Sequence, residues 1–157
     1  MVYISRISGL FGDWELRGTS HGLIGVTNRC SSEAVSENVV TRQGAEELQQ
    51  YLAGQRTAFT VPLDLSGTPF QQTVWRTLQE IPFGTSVSYS RVAEMLGRPT
   101  AVRAVAQAIG KNPCLILIPC HRVVGKDGSL TGFSAGLALK KKLLQLEGIP
   151  YRPELPR

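Results

Sequence analysis

The chain has 157 residues, 42% hydrophobic and 18% charged; this is room for one domain or two small ones and argues against a disordered or fibrous chain. The net charge of +5 is unevenly spread: residues 1–66 hold five Arg against seven Asp and Glu (−2), and residues 67–157 hold twelve Lys and Arg against five Asp and Glu (+7). No apolar stretch approaches the roughly 18 residues of a membrane span, no basic-then-apolar leader opens the chain, and Cys30, Cys114 and Cys120 show neither a Cys-x-x-Cys pair nor metal-type His spacing.

From these features we expect a cytosolic protein, nuclear in a nucleated cell, with no membrane partner, no disulfide framework and no metal. The basic second half favours a polyanion through phosphate neutralisation and counterion release. A merely solvated basic surface is the alternative, and Lys140-Lys141-Lys142 could be the wet face of a helix.

In chain order, Val2 to Ile7, Trp14 to Thr19 and Leu23 to Asn28 read as short strands. Turn chemistry at Gly9 to Asp13 and at Ser20-His21-Gly22 separates them into an antiparallel meander. A helix is predicted around Ala45 to Leu52, followed by an extended segment over Thr60 to Leu63 that Pro62 interrupts. Leu65-Ser66-Gly67 is the expected boundary. Thr68-Pro69-Phe70-Gln71 then supplies a capping Thr, a first-turn Pro and a capping-box Gln. Phe70, Val74, Leu78 and Ile81 follow at helical spacing until Pro82 and Gly84, and Trp75 beside this stripe reads as core rather than as a base-stacking platform.

Next come Ser88 to Thr100 and Ala101 to Gly110, two short helical patterns joined by a Gly-containing turn that suggest a helix-turn-helix. In the second, Val102, Val105 and Ile109 form an inward stripe. Alanines at 101, 104, 106 and 108 keep this helix thin, so that it can approach a narrow groove and project one long cation, Arg103. Ordinary core packing of an Ala-rich helix remains the competing reading. Asn112-Pro113 breaks the pattern, and Leu115 to Ile118 reads as a buried extended run leading to Pro119-Cys120-His121-Arg122. A final helix is predicted over Ala138 to Glu147, stopped by Gly148 and Pro150.

Cys120 has two readings on residues alone, a nucleophile or a buried structural thiol. Ionisation near neutral pH needs neighbours that lower the thiol pKa, and His121 and Arg122 are the candidates. Adjacent residues in an extended chain point to opposite faces, so a turn or a bridging water is required to bring Cys120 and His121 together.

Pro119-Cys120-His121-Arg122-Val123-Val124, preceded by Ile116-Leu117-Ile118 and Asn112-Pro113, resembles the active-site signature of the O6-alkylguanine-DNA alkyltransferases, or methylated-DNA–protein-cysteine methyltransferases. The resemblance runs from Phe70-Gln71 through Phe83-Gly84, Ser88-Tyr89, Arg103-Ala104-Val105 and the cysteine segment to Gly136-Leu137-Ala138 and Leu146-Glu147-Gly148. It implies a mixed α/β (α+β) fold: over residues 1–66 a small antiparallel sheet with a helix, ribonuclease H-like, and over 67–157 a helical domain with a winged-helix-like helix-turn-helix.

The function it implies is stoichiometric repair of O6-alkylguanine in double-stranded DNA, chiefly O6-methylguanine, with O4-alkylthymine as a further candidate. The damaged base is flipped from the minor-groove side, and its alkyl group passes irreversibly to a cysteine. By resemblance, Cys120 is the acceptor, His121 its base through water, Glu147 the group orienting His121, and Asn112 the holder of the bend before the cysteine segment. Tyr89 aids departure of the guanine and crowds the neighbouring phosphate. Arg103 fills the vacated stack, and Ser90, Arg98 and Lys126 match phosphate contacts. Backbone groups of Cys120, Val123 and Ser134 match the base-edge positions. No cofactor is implied, and binding is expected as a monomer, with cooperativity along DNA left open.

Leu115, where some relatives have proline, and Phe133, where others have tyrosine, leave the tolerated alkyl size open. The alternatives are a non-catalytic alkyltransferase-like lesion binder, a helix-turn-helix regulator with an inert cysteine, and a cysteine hydrolase.

Overall fold

The computed structural model describes residues 1–152 and divides into two compact units, Met1–Ser66 with Pro113–Leu117, and Gly67–Asn112 with Ile118 onward. Pro113–Leu117, expected in the C-terminal half, belongs to the first unit. Its backbone pairs there: the Val26 N–H donates to Pro113 O at 3.0 Å, and the Leu115 N–H donates to Val26 O at 3.1 Å. The extended run expected over Leu115 to Ile118 is broken as well. Leu117 N–H turns back onto Leu115 O at 2.8 Å, and Ile116, buried at the apex, takes a positive φ of 72°.

In the first unit, strands β1 (Tyr3–Gly9), β2 (Gly12–Gly18) and β3 (Leu23–Thr27) form an antiparallel sheet in the order β1-β2-β3. The β1–β2 hairpin closes on the Gly9↔Gly12 pair around Leu10-Phe11, with Phe11 at φ 76°. Trp14 and Leu16 of β2 are fully buried, and helix α1 (Val39–Leu52) packs on the sheet. A Cβ on Gly44 would stand 2.8 Å from Leu23 Cδ1 and 3.1 Å from Leu16 Cδ2, so glycine permits this close approach.

Helix α1 starts six residues earlier than the predicted Ala45. Asn38 caps it, its side chain accepting from the Thr41 N–H at 2.8 Å while Thr41 Oγ1 accepts from the Asn38 N–H at 3.1 Å. The extended segment expected over Thr60 to Leu63, with its interruption at Pro62, joins the sheet only through an isolated Leu23↔Leu63 bridge. Pro62 has no N–H, and the N–H groups of Thr60 and Val61 donate to the buried Glu47 carboxylate at 2.9 and 3.1 Å.

The second unit is built on helices α2 (Pro69–Leu78), α3 (Tyr89–Met95), α4 (Val102–Gly110) and α5 (Leu137–Leu146), with a two-residue parallel ladder between β4 (Val87–Ser88) and β5 (Val123–Val124). The capping box read at Thr68 and Gln71 closes with bonds of 3.1 and 3.0 Å. Trp75 is core, and its indole N–H donates to the Ala108 carbonyl at 2.9 Å, tying α2 to α4. Helices α3 and α4 form the helix-turn-helix, with Gly97 at φ 74° in the connection. Among the described residues no helix is long and apolar enough to cross a membrane.

Candidate active site

The β4–β5 ladder pairs Val87 with Val123 and Ser88 with Val124. It sets Tyr89, the first residue of α3, in register with the segment that follows Cys120. Ser88 adds the α3 cap, its hydroxyl accepting from the Arg91 N–H at 3.0 Å. Cys120, His121 and Arg122 form one 3₁₀ turn, which supplies the bend that adjacent extended residues lack.

A cavity of about 1110 Å³ opens beside this turn. Tyr89, Arg103, Cys120 and Ser134 lie in its wall, together with Val102, Ala106 and Ile109 of α4 and Thr131 and Phe133 of the β5–α5 loop. His121, Glu147 and Asn112 do not line it; they are buried and connected to Cys120 by sequence or hydrogen bond. Asn112 donates its amide N–H to the Ile118 carbonyl at 2.8 Å and to Cys120 Sγ at 3.0 Å, holding the two ends of the bend together.

His121 is wholly buried, and its Nε2–H donates to Glu147 Oε2 at 2.7 Å. The proton then sits on Nε2, and Nδ1 carries the lone pair. Nδ1 is a buried atom with no hydrogen-bond partner among the described residues. Glu147 is held further by Arg122, which donates from Nε to Oε1 at 2.7 Å and from Nη2 to Oε2 at 3.0 Å, and by the Gly84 N–H at 3.1 Å. This forked charge-assisted contact fixes the plane of the carboxylate and therefore the imidazole it orients.

The electrostatics correct one expectation. Neither His121 nor Arg122 lowers the Cys120 thiol. Burial pushes it up to about 11, and the opposing influences are the Asn112 hydrogen bond and the Lys140 charge. Arg122 is committed to Glu147. Burial also lowers His121 below its ordinary value, against the hydrogen bond and charge of Glu147. The site therefore pairs a protonated thiol with a neutral imidazole, the combination that general-base chemistry requires.

Lys140 departs from the solvated helix face that Lys140-Lys141-Lys142 suggests as the alternative. It is not on a wet face but fully buried, with Nζ donating to Val123 O at 2.7 Å, and burial brings its pKa down to about 8, opposed by Cys120. Its position three and four residues before buried Leu143 and Leu144 is the signal that could have shown it. Arg122 as the clamp on Glu147, and Thr131, were also missed.

Of the positions matched to base-edge contacts, Cys120 and Ser134 reach the cavity, whereas Val123 is buried and its carbonyl already accepts from Lys140. The positions matched to phosphate contacts lie outside the cavity wall. Ser90 is half-buried in α3, Lys126 is exposed in the turn after β5, and exposed Arg98 lays its guanidinium 5.4 Å from the centre of the Phe70 ring. Among the described residues no cluster of His, Cys, Asp or Glu is arranged to hold a metal ion.

The raised thiol pKa makes a direct prediction. With a pKa of about 11, roughly one Cys120 in 10⁴ is ionised at pH 7. Carboxamidomethylation of Cys120 by iodoacetamide, followed by peptide mapping, is expected to accelerate about tenfold per pH unit between pH 7 and 10. A plateau near pH 8.5 would contradict this.

Comparison with known proteins gives a consistent picture. Residues 69–149 match the family model described as 6-O-methylguanine DNA methyltransferase, DNA binding domain. The chain is 55% identical over 103 residues to the inducible methylated-DNA–protein-cysteine methyltransferase of Bacillus subtilis, covering 66% of this chain and 58% of that protein. It is 46% identical over 130 residues to the methylated-DNA–protein-cysteine methyltransferase of Mycolicibacterium paratuberculosis, covering 82% and 79%. The crystal structure of the Mycobacterium tuberculosis O6-methylguanine methyltransferase superposes with a TM-score of 0.84 at 38% identity, over 94% of this chain and 93% of that one. The structure of Mycobacterium tuberculosis OGT in complex with DNA gives a TM-score of 0.83, over 93% and 91%.

Proposed function

Because this chain belongs to the 6-O-methylguanine DNA methyltransferase family, we propose that it binds double-stranded DNA through the helix-turn-helix and repairs O6-alkylguanine by moving the alkyl group onto Cys120 once and irreversibly. The observation that carries this reading is the cavity wall: it presents the Cys120 thiol beside Tyr89 and Arg103, and the buried Asn112, His121 and Glu147 stand behind it.

The substrate base enters the cavity after rotating out of the duplex. Its exposed pairing edge meets backbone groups of Cys120 and Ser134, while Arg103, an exposed cation on the alanine-rich α4, occupies the space it leaves in the stack. Entry of α4 from the minor groove suits a protein that reads damage rather than sequence. Ser90, Arg98 and Lys126 contact the phosphates. The protein acts as a monomer.

In the chemical step the thiol proton passes to His121 Nδ1 through one water. A buried ring nitrogen without a protein partner supports this water site. Glu147 stabilises the imidazolium that forms, as Nε2–H already donates to it. The S–C bond forms as the C–O6 bond breaks. The electron pair remains on the purine, and the Tyr89 hydroxyl donates to the ring as negative charge develops there. Nothing hydrolyses the resulting thioether, so each molecule reacts once.

Cys120 in the cavity wall weighs against a lesion binder without an acceptor and against a regulator with an inert thiol. The test is intact-protein mass spectrometry after incubation with a duplex containing one O6-methylguanine. We expect a stoichiometric gain of one methylene, about 14 Da, located on Cys120 by peptide mapping, and unmodified guanine in the DNA. An unchanged mass, or a gain elsewhere, would overturn the reading.

A further inference from the structure

We propose that Thr131 is a positioning residue that fixes the Tyr89 hydroxyl as a hydrogen-bond donor to the departing purine; the proposal rests on the role given to Tyr89 above. The two residues lie 42 positions apart in the chain and meet in the cavity wall, where Thr131 Oγ1 and Tyr89 Oη share a hydrogen bond of 2.8 Å. A phenol hydroxyl offers one proton and accepts at oxygen. With Thr131 donating to that oxygen, the Tyr89 proton has no acceptor among the described residues and is directed to whatever occupies the cavity. Hydrogen bonds in series polarise one another, so the bond from Thr131 also strengthens Tyr89 as a donor.

Both partners stand on backbone that is held independently of this contact. Tyr89 opens α3 immediately after the β4–β5 ladder and the Ser88 cap. The Thr131 carbonyl accepts from Lys140 Nζ at 3.5 Å, and the same buried ammonium donates to Val123 O at 2.7 Å, linking the two arms of the β5–α5 loop. Threonine also has a stiff χ1, so its hydroxyl stays where the backbone puts it. Removing the hydroxyl while keeping the shape therefore isolates one hydrogen bond and leaves the Lys140 contact, which is to backbone, in place.

The test is a double-mutant cycle of single-turnover transfer rates at saturating O6-methylguanine duplex, using the unsubstituted protein, Thr131→Val, Tyr89→Phe and the double variant, with Thr131→Ser as the conservative control. Duplex affinity and melting temperature are measured for each, and Thr131→Ala replaces the valine variant if that one does not fold. Thr131→Val is expected to slow the transfer step about 2- to 12-fold, the worth of one net hydrogen bond, with duplex affinity unchanged. Thr131→Ser should stay within about twofold of the unsubstituted protein, and in the Tyr89→Phe background the valine change should have no further effect. Equal losses in both backgrounds, or no loss in either, would overturn the proposal while leaving the role of Tyr89 intact. A Tyr89→Phe protein as fast as the unsubstituted one would remove the role of Tyr89, and the proposal with it.

Discussion

Replacing His121 with Gln is expected to slow alkyl transfer from an O6-methylguanine duplex by about 10²- to 10⁴-fold at pH 7, the usual contribution of a positioned general base. The reason is the raised acidity constant of the thiol it serves. Burial holds Cys120 at about 11, so the protein does not keep a standing thiolate at neutral pH and must create one as the alkyl carbon approaches. Burial also depresses His121, so the imidazole stays neutral and able to accept a proton down to pH values below its ordinary pKa of 6.5. The rate for the unsubstituted protein should therefore hold through pH 6.5 and fall only below it, as His121 becomes protonated before reaction. The Gln variant should lose this acid limb and instead gain rate with rising pH toward 11, because hydroxide then does what the imidazole did. Measured pH–rate profiles decide the matter. A variant whose rate is low but independent of pH would show that His121 supports the fold and not the proton transfer.

The second large effect concerns Arg103. Arg103→Ala should reduce transfer from duplex DNA by about 100-fold, while reaction with free O6-methylguanine changes by less than about twofold. Unpairing and unstacking a nucleotide costs a few kcal/mol, and each 1.4 kcal/mol corresponds to a factor of about ten. Only the duplex has that cost. The structure supports the separation of roles because Arg103 is exposed on α4 in the cavity wall, whereas the hydrogen bonds that hold the reacting groups run through Asn112, His121, Arg122 and Glu147. Equal losses on both substrates would remove the extrusion role and place Arg103 in the pocket chemistry.

Local chemistry made most of the elements legible. Thr68 and Gln71 announced the start of α2, the β-rich run from Trp14 between two turn segments announced β2, and alanines spaced along residues 101–108 marked a slender helix. Asn38 was missed because its capping partner is Thr41 and not the Glu or Gln that the pattern anticipates. The run Leu115 to Ile118 was misread for a different reason. Four consecutive apolar residues say that a segment is buried but not how its backbone runs, and the turn at Ile116 follows from pairing with Val26, about ninety positions earlier.

At the site, adjacency in sequence revealed Cys120 and His121 and concealed Arg122. Its side chain leaves the thiol and closes on Glu147, 25 positions later. Lys140 was concealed by its neighbours, since Lys141 and Lys142 are exposed and the three lysines look alike without the burial of Leu143 and Leu144 behind the first of them. Thr131 could not have been identified at all, because its relation to Tyr89 exists only once the ladder and the loop are folded.

The excursion of Pro113–Leu117 also bears on modularity. Asn112 and Ile118, which hold the bend before Cys120, are separated by five residues whose backbone partner is β3. The reactive half is consequently not a cassette that can be excised at the Ser66–Gly67 junction. A graft beginning there would carry the buried strip Cys114-Leu115-Ile116-Leu117 without its partner strand, and that naked apolar strip would invite self-association.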